Sequence, residues 1–212
     1  MHQSHKLGRG AVDGRIAGHL DQPHRLYVAI FRDGSLKVGT TAGDAGGHRL
    51  VEQGAWLACY VARAKDGFAV REVEDLVTEV LDVRQAVTVH RKLAGLVRPL
   101  LDHTLQGELD RAVERVTQLV DAMGDPRVDS VRELWTNPAV DDPTWVDVVR
   151  YPALVDTGSH DLTVVGAVGR VVAVQRPGFD ETFAVDLGPL FGLEIDIGDH
   201  EVDEVALQGA LF

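Results

Sequence analysis

RLYVAIFRDGSLKVGT at residues 25–40, followed by GHRLVEQGA at 47–55, decides how the N-terminal half of the chain is read. Apolar, β-branched and aromatic residues dominate 25–32, which predicts a strand. Side chains alternate along a strand, so Leu26, Val28 and Ile30 share one face while Tyr27, Ala29 and Phe31 share the other. Asp33-Gly34 signals a two-residue hairpin turn, and 35–40 returns as the partner strand carrying Lys37. The glycine-rich stretch 43–47 is a loop, 48–53 a short helix with Arg49 in its first turn, Gly54 a break, and 55–64 a third strand. Asp66-Gly67 then opens a helix to about residue 81, with Ala69, Val73, Leu76, Val77 and Val80 recurring at the helical period as one core-facing stripe.

Further along, helical segments are expected at about 85–105 and 107–122, the second with Leu109, Val113, Val116 and Val120 on one face. Gly124-Asp125-Pro126 stops them. A looser segment containing Trp135, Pro138, Pro143 and Trp145 leads into short strands at 145–151, 162–168, 170–175, 182–187, 190–197 and 202–207, the spacing of a small barrel or sandwich. Residues 1–24 hold His2, His5, His19 and His24 without periodicity, and a flexible arm is expected there rather than a metal site. The fold class is therefore α+β. A small antiparallel sheet flanked by helices, with a helical extension, occupies 25–124, and an acidic all-β domain occupies 125–212.

Apolar residues at 45% and charged residues at 25% suit a soluble globular chain, and no apolar run approaches the roughly 18 residues of a membrane span. No basic-then-apolar export signal opens the sequence, so a cytoplasmic location is expected. Cys59 is the only cysteine, which excludes an internal disulfide and a thiolate-rich zinc site; set in the apolar run 55–62, it reads as a buried, inert thiol. Charge is uneven: residues 1–124 sum to zero, whereas 125–212 carry the whole net charge of −12. Polynucleotide affinity rests on cations that neutralise phosphates, so any nucleic acid is expected on the N-terminal domain, while the acidic half offers a surface to a basic protein partner.

Four residues form a candidate constellation. Lys37 is expected close to Tyr27 across the hairpin, where its ammonium would ease ionisation of the phenol and make Tyr27 a general base for water. Arg49, at a helix N-terminus, would grip a phosphodiester together with Lys37. On the following helix, Glu74 lies about 90° from the centre of the apolar stripe, Glu72 about 110° and Glu79 about 130°, which makes Glu74 the first candidate to lean inward and hold a divalent cation and Glu72 the second. The glycine loop lacks the Gly-Lys-Ser/Thr ending of a nucleotide-triphosphate loop. Ser159-His160-Asp161 has the residue types of a catalytic triad, but in direct succession, which cannot place them as nucleophile, base and orienter.

HRLYVA at 24–29, LKVGTT at 36–41 and RLVEQGA at 49–55 resemble the signature of the bacterial domain-of-unknown-function family two-seven-nine-seven, over most of the chain. That resemblance implies no activity. It does imply a cysteine-containing, zinc-ribbon-like stretch ahead of these motifs; this sequence has no such cysteines, so that module is expected to be either trimmed from it or lost in this branch. A remoter resemblance, over roughly 25–82, is to the GIY-YIG nuclease superfamily: Arg25-Leu-Tyr27 stands for the first triplet, Lys37-Val-Gly39 for the second, Arg49 for the helix arginine and Glu74 for the metal-binding glutamate. It implies one divalent cation, Mg²⁺ or Mn²⁺, on Glu74 and phosphodiester hydrolysis. Two positions depart from that pattern: Lys37 replaces the second tyrosine, as in some divergent phage-type relatives, and no late asparagine follows Leu81.

The expected function is accordingly a divergent, metal-dependent phosphodiesterase acting on nucleic acid, with Tyr27, Lys37, Arg49 and Glu74 as its catalytic set. The alternative is a catalytically inactive module of the same shape that binds nucleic acid or a protein partner. An enzyme acting on a small phosphorylated ligand is a third, with only the glycine loop behind it.

Overall fold

The computed structural model describes residues 14–43, 46–198 and 201. Strands β1 (His24–Ile30) and β2 (Leu36–Ala42) form the hairpin, antiparallel from His24 opposite Ala42 to Ile30 opposite Leu36. Its connection runs over 31–35 and is wider than the two-residue turn expected. Phe31 N donates to Ser35 O at 3.1 Å and Gly34 N to Phe31 O at 2.9 Å, while Asp33 Oδ1 accepts from Ser35 N at 3.0 Å. Helix α2 (Gly46–Gln53) follows, and β3 (Leu57–Ala64) returns antiparallel on the other side of β1. Helix α3 (Gly67–Leu81) is started by Asp66, whose Oδ1 accepts from the amides of Phe68 and Ala69 at 3.0 and 2.8 Å.

Because β1 lies between two strands and is covered on both faces, its alternation sorts two cores. Leu26, Val28 and Ile30 pack with Val70, Val73 and Val77 of α3 and with Leu105, Leu109, Val113 and Val116 of α5 (Asp102–Met123). Tyr27, Ala29 and Phe31 pack on the other face with Leu50 of α2, Ala58 and Tyr60 of β3, and Trp135. One residue of the α3 stripe is not covered: Val80 is 54% exposed, whereas Leu81 next to it packs against the core.

Three expectations are corrected N-terminal to the second sheet. Residues 14–24 are not a loose arm: α1 (Gly14–Leu20) leads into β1, and Leu20 and His24 are buried against Gly67, where a side-chain methyl would lie 2.7 Å from Leu20 Cδ2 and 2.8 Å from His24 Cε1. His2 and His5 lie outside the described residues. The helical stretch expected from 85 begins at 89, as α4 (Val89–Val97), with Thr88 as its N-cap. The segment read as loose contains β4 (Val128–Thr136), which pairs antiparallel with β3 and completes a four-stranded sheet in the order β2-β1-β3-β4. Residue 125 is therefore no boundary between the two sheets, since a strand beyond it finishes the first.

Among the described residues the C-terminal part is one open sheet, not the barrel or sandwich expected. Strands β5 (Val149–Arg150), β6 (Thr163–Val168), β7 (Val171–Gln175) and β8 (Thr182–Asp186) lie in the order β5-β8-β7-β6, with only β5 and β8 parallel. Val171, Ala173 and Ala184 join the main core, so the first sheet and its helices supply the layer that a second sheet would otherwise provide. Val172, Val174, Phe183 and Val185 form a smaller cluster with Tyr151 on the other face. The strand expected at 145–151 is reduced to β5, because Asp142 and Pro143 start a 3-10 turn at Pro143–Trp145. No strand forms at 190–197, where a 3-10 turn at Gly188–Leu190 is followed by irregular chain, and 202–207 lie outside the described residues. No described helix is long and apolar enough to cross a membrane.

Candidate functional site

A cleft of about 600 Å³ opens along the edge strand β2. Lys37 and Gly39 line it from β2, His48, Arg49 and Glu52 from α2, Arg71 and Glu74 from α3, and His19 and His24 from the N-terminal side. Lys37, Arg49 and Glu74, from three separate elements, thus share one hollow. Tyr27 does not line it. The phenol is fully buried beneath the floor, its oxygen packed over Gly39, where a Cβ would come within 2.4 Å of it. Gly39 stands directly opposite Tyr27 in the register, so the ring lies across the backbone at the one residue of β2 that leaves room for it.

Lys37 pairs across the hairpin with Ala29, so Tyr27 and Lys37 are not directly opposed. They meet at a residue outside the candidate set of four. Gln53 Oε1 accepts from Tyr27 Oη at 3.3 Å and from Lys37 Nζ, and the Gln53 backbone oxygen accepts from Lys92 Nζ at 2.6 Å. Gln53 is four residues beyond Arg49, and therefore on the same face of α2; that spacing was the available signal.

Burial reverses the electrostatic expectation for the pair. It pushes the Tyr27 phenol above its usual range, although the charge of Arg49 and hydrogen bonding to Arg49 and Gln53 pull the other way. Burial also lowers Lys37 to about 8, aided by Arg49 and Lys92 and opposed by Glu74. The phenol consequently keeps its proton at neutral pH, and the amine is the group that can release one nearby.

Glu74 is 5% exposed, more deeply placed than its helical angle suggests, and its Oε2 lies 3.6 Å from Arg71 Nη1. Glu72, the second metal candidate, is exposed and pairs with Arg127 at 2.6 Å. Among the described residues no group of three or more His, Cys, Asp or Glu is placed to hold a metal ion. Glu74 is one carboxylate beside Lys37, Arg49 and Arg71. That set fits Mg²⁺ or Mn²⁺ only as an ion that keeps its waters and arrives with a phosphate, since Mg²⁺ is commonly held by one or two carboxylates plus substrate oxygens. Three cations against Glu52 and Glu74 make the cleft itself suited to an anion. Elsewhere, Cys59 is buried with its thiol pushed up by burial, and His160 is engaged by Tyr151 Oη at 3.0 Å and Thr157 O at 2.8 Å.

A family model described as "Protein of unknown function (DUF2797)" matches residues 16–165, which takes in the first sheet, the cleft and the start of the second sheet. No curated protein and no solved structure matches the chain.

Proposed function

The chain belongs to the DUF2797 family, and from the cleft it builds we propose that it is a divergent GIY-YIG-like phosphodiesterase acting on nucleic acid with a divalent metal. One observation carries this reading: Lys37, Arg49 and Glu74 reach a single anion-suited hollow from β2, α2 and α3, with Tyr27 tied to Lys37 through Gln53. Arg49 would hold the phosphate oxygens through its planar fork. Glu74 would hold a Mg²⁺ or Mn²⁺ ion, which when bound supplies charge neutralisation at the phosphate.

The proton roles differ from those expected of the motifs. With its amine lowered to about 8, Lys37 would take the proton from the attacking water, a step worth roughly 10²–10⁴-fold. Tyr27, buried and protonated, would donate to Gln53 and so hold the oxygen that positions Lys37. Incubating the protein with single- and double-stranded DNA and RNA plus Mn²⁺ tests the proposal, with Glu74→Ala and Lys37→Met as controls. Cleavage no greater than in Glu74→Ala would refute it.

A second reading has its own support. A fully buried Tyr27 and a Lys37 already bonded to Gln53 describe a site that can bind an anion without performing chemistry. Salt-dependent oligonucleotide binding that survives Glu74→Ala, with no cleavage under any metal, would favour it.

A further inference from the structure

A second hollow, of about 440 Å³, is lined by residues next in sequence to residues of the first. Leu36 lines one and Lys37 the other; Arg84 lines one and Gln85 the other. The segment carrying Arg84 is fastened to β2 by Val38 N donating to Arg84 O at 2.9 Å. Four arginines, against Asp82 and Glu108, line this second hollow: Arg84, Arg91 of α4, and Arg111 and Arg115 one turn apart on α5. Arg111 is paired with Glu108 at 2.6 Å and Arg91 with Asp33 at 3.3 Å. Arg84 and Arg115 have no carboxylate within ion-pair distance among the described residues.

Such a concentration of guanidinium groups stands out on a chain of net charge −12. Arg111 and Arg115 repel one another along α5, a cost that a bound anion removes. The guanidinium fork matches phosphate oxygens in pairs, and its weak hydration makes the exchange of water for phosphate easy. An isolated small anion would need only the first cleft. Two cationic hollows lined by neighbouring residues of β2 suit a ligand carrying phosphates in series.

We propose that the Arg84, Arg91, Arg111 and Arg115 hollow binds backbone phosphates of a polynucleotide strand, next to the phosphodiester held at Arg49. The ligand class is then a strand several nucleotides long. This inference rests on the nucleic-acid reading above, and the experiment separates the two.

Binding of labelled single-stranded DNA and RNA 20-mers to the full chain is measured by fluorescence anisotropy from 50 to 200 mM salt. Each phosphate contact on a single strand contributes about 0.7 to the slope of log K against log salt. Arg84→Ala/Arg115→Ala should therefore flatten the slope by about 1.4 and weaken binding roughly tenfold at low salt. Hydrolysis of bis(p-nitrophenyl) phosphate with Mn²⁺, a substrate confined to the first cleft, should match that of the unaltered protein. An unchanged slope and affinity in the double variant overturns the inference, as does tight capture of a polyglutamate peptide in place of either oligonucleotide. Should the double variant lose binding while neither it nor the unaltered protein hydrolyses anything, the second hollow stands and only the hydrolytic proposal falls.

Discussion

Lys37→Met removes the amine while keeping most of the side chain's length. In the folded protein that amine is lowered from 10.5 to about 8, so protonating it is disfavoured by folding. At 1.36 kcal/mol per unit, the burden at pH 7 is about 3 kcal/mol. The sign follows from proton counts: between about 8 and 10.5 the unfolded chain binds the proton and the folded chain does not, so stability rises with pH through that window. From pH 7 to 9.5 the Lys37 contribution should grow by about 2 kcal/mol, and Lys37→Met should lack it. Gln53 Oε1 keeps Tyr27 Oη as a donor in the variant, so no buried acceptor is orphaned. Urea denaturation of both proteins at several pH values measures the difference. Stability curves that run parallel from pH 7 to 9.5 would refute the placement of a desolvated ammonium in this cleft.

Other expectations follow from the same geometry. Gly39→Ala puts a methyl 2.4 Å from Tyr27 Oη and should cost about 1–3 kcal/mol, read from a thermal melt, with part of the loss restored by Tyr27→Ala in the same chain. Glu74→Gln leaves Arg71 largely buried without its carboxylate and should destabilise by about 3 kcal/mol as well as lowering any Mn²⁺-dependent cleavage, so circular dichroism must accompany the rate measurement. Glu72→Ala breaks only an exposed pair with Arg127 and should shift stability by about 1 kcal/mol or less while leaving cleavage intact. Asp66→Ala removes the acceptor for two amides at the start of α3 and should cost about 1 kcal/mol in denaturant titration.

Much of the N-terminal fold is legible because its signals are local. Leu26, Val28 and Ile30 against Tyr27, Ala29 and Phe31 sort to two cores by strand alternation alone. The buried face of α5 follows from Leu109, Val113, Val116 and Val120 in the same way. β4 escaped because it is an outer strand with most of its residues partly or fully exposed, so its composition resembles a polar loop. The spacing of the C-terminal strands points to a barrel or sandwich and not to the single sheet found, because strand spacing carries no information about what covers a face.

For the site, residue types and order along the chain already place Lys37, Arg49 and Glu74 as a set worth testing. Angle on a helix ranks Glu74 above Glu72, since the period records where a side chain points relative to its own helix. Depth is another matter. How far Glu74 is buried, why Tyr27 lies under the cleft floor, and how Gln53 joins it to Lys37 depend on elements packed from elsewhere in the chain. The proton balance between phenol and amine belongs to that second class, because desolvation is set by every atom around a group, and those atoms are assembled only when the sheet, α2 and α3 close on one another.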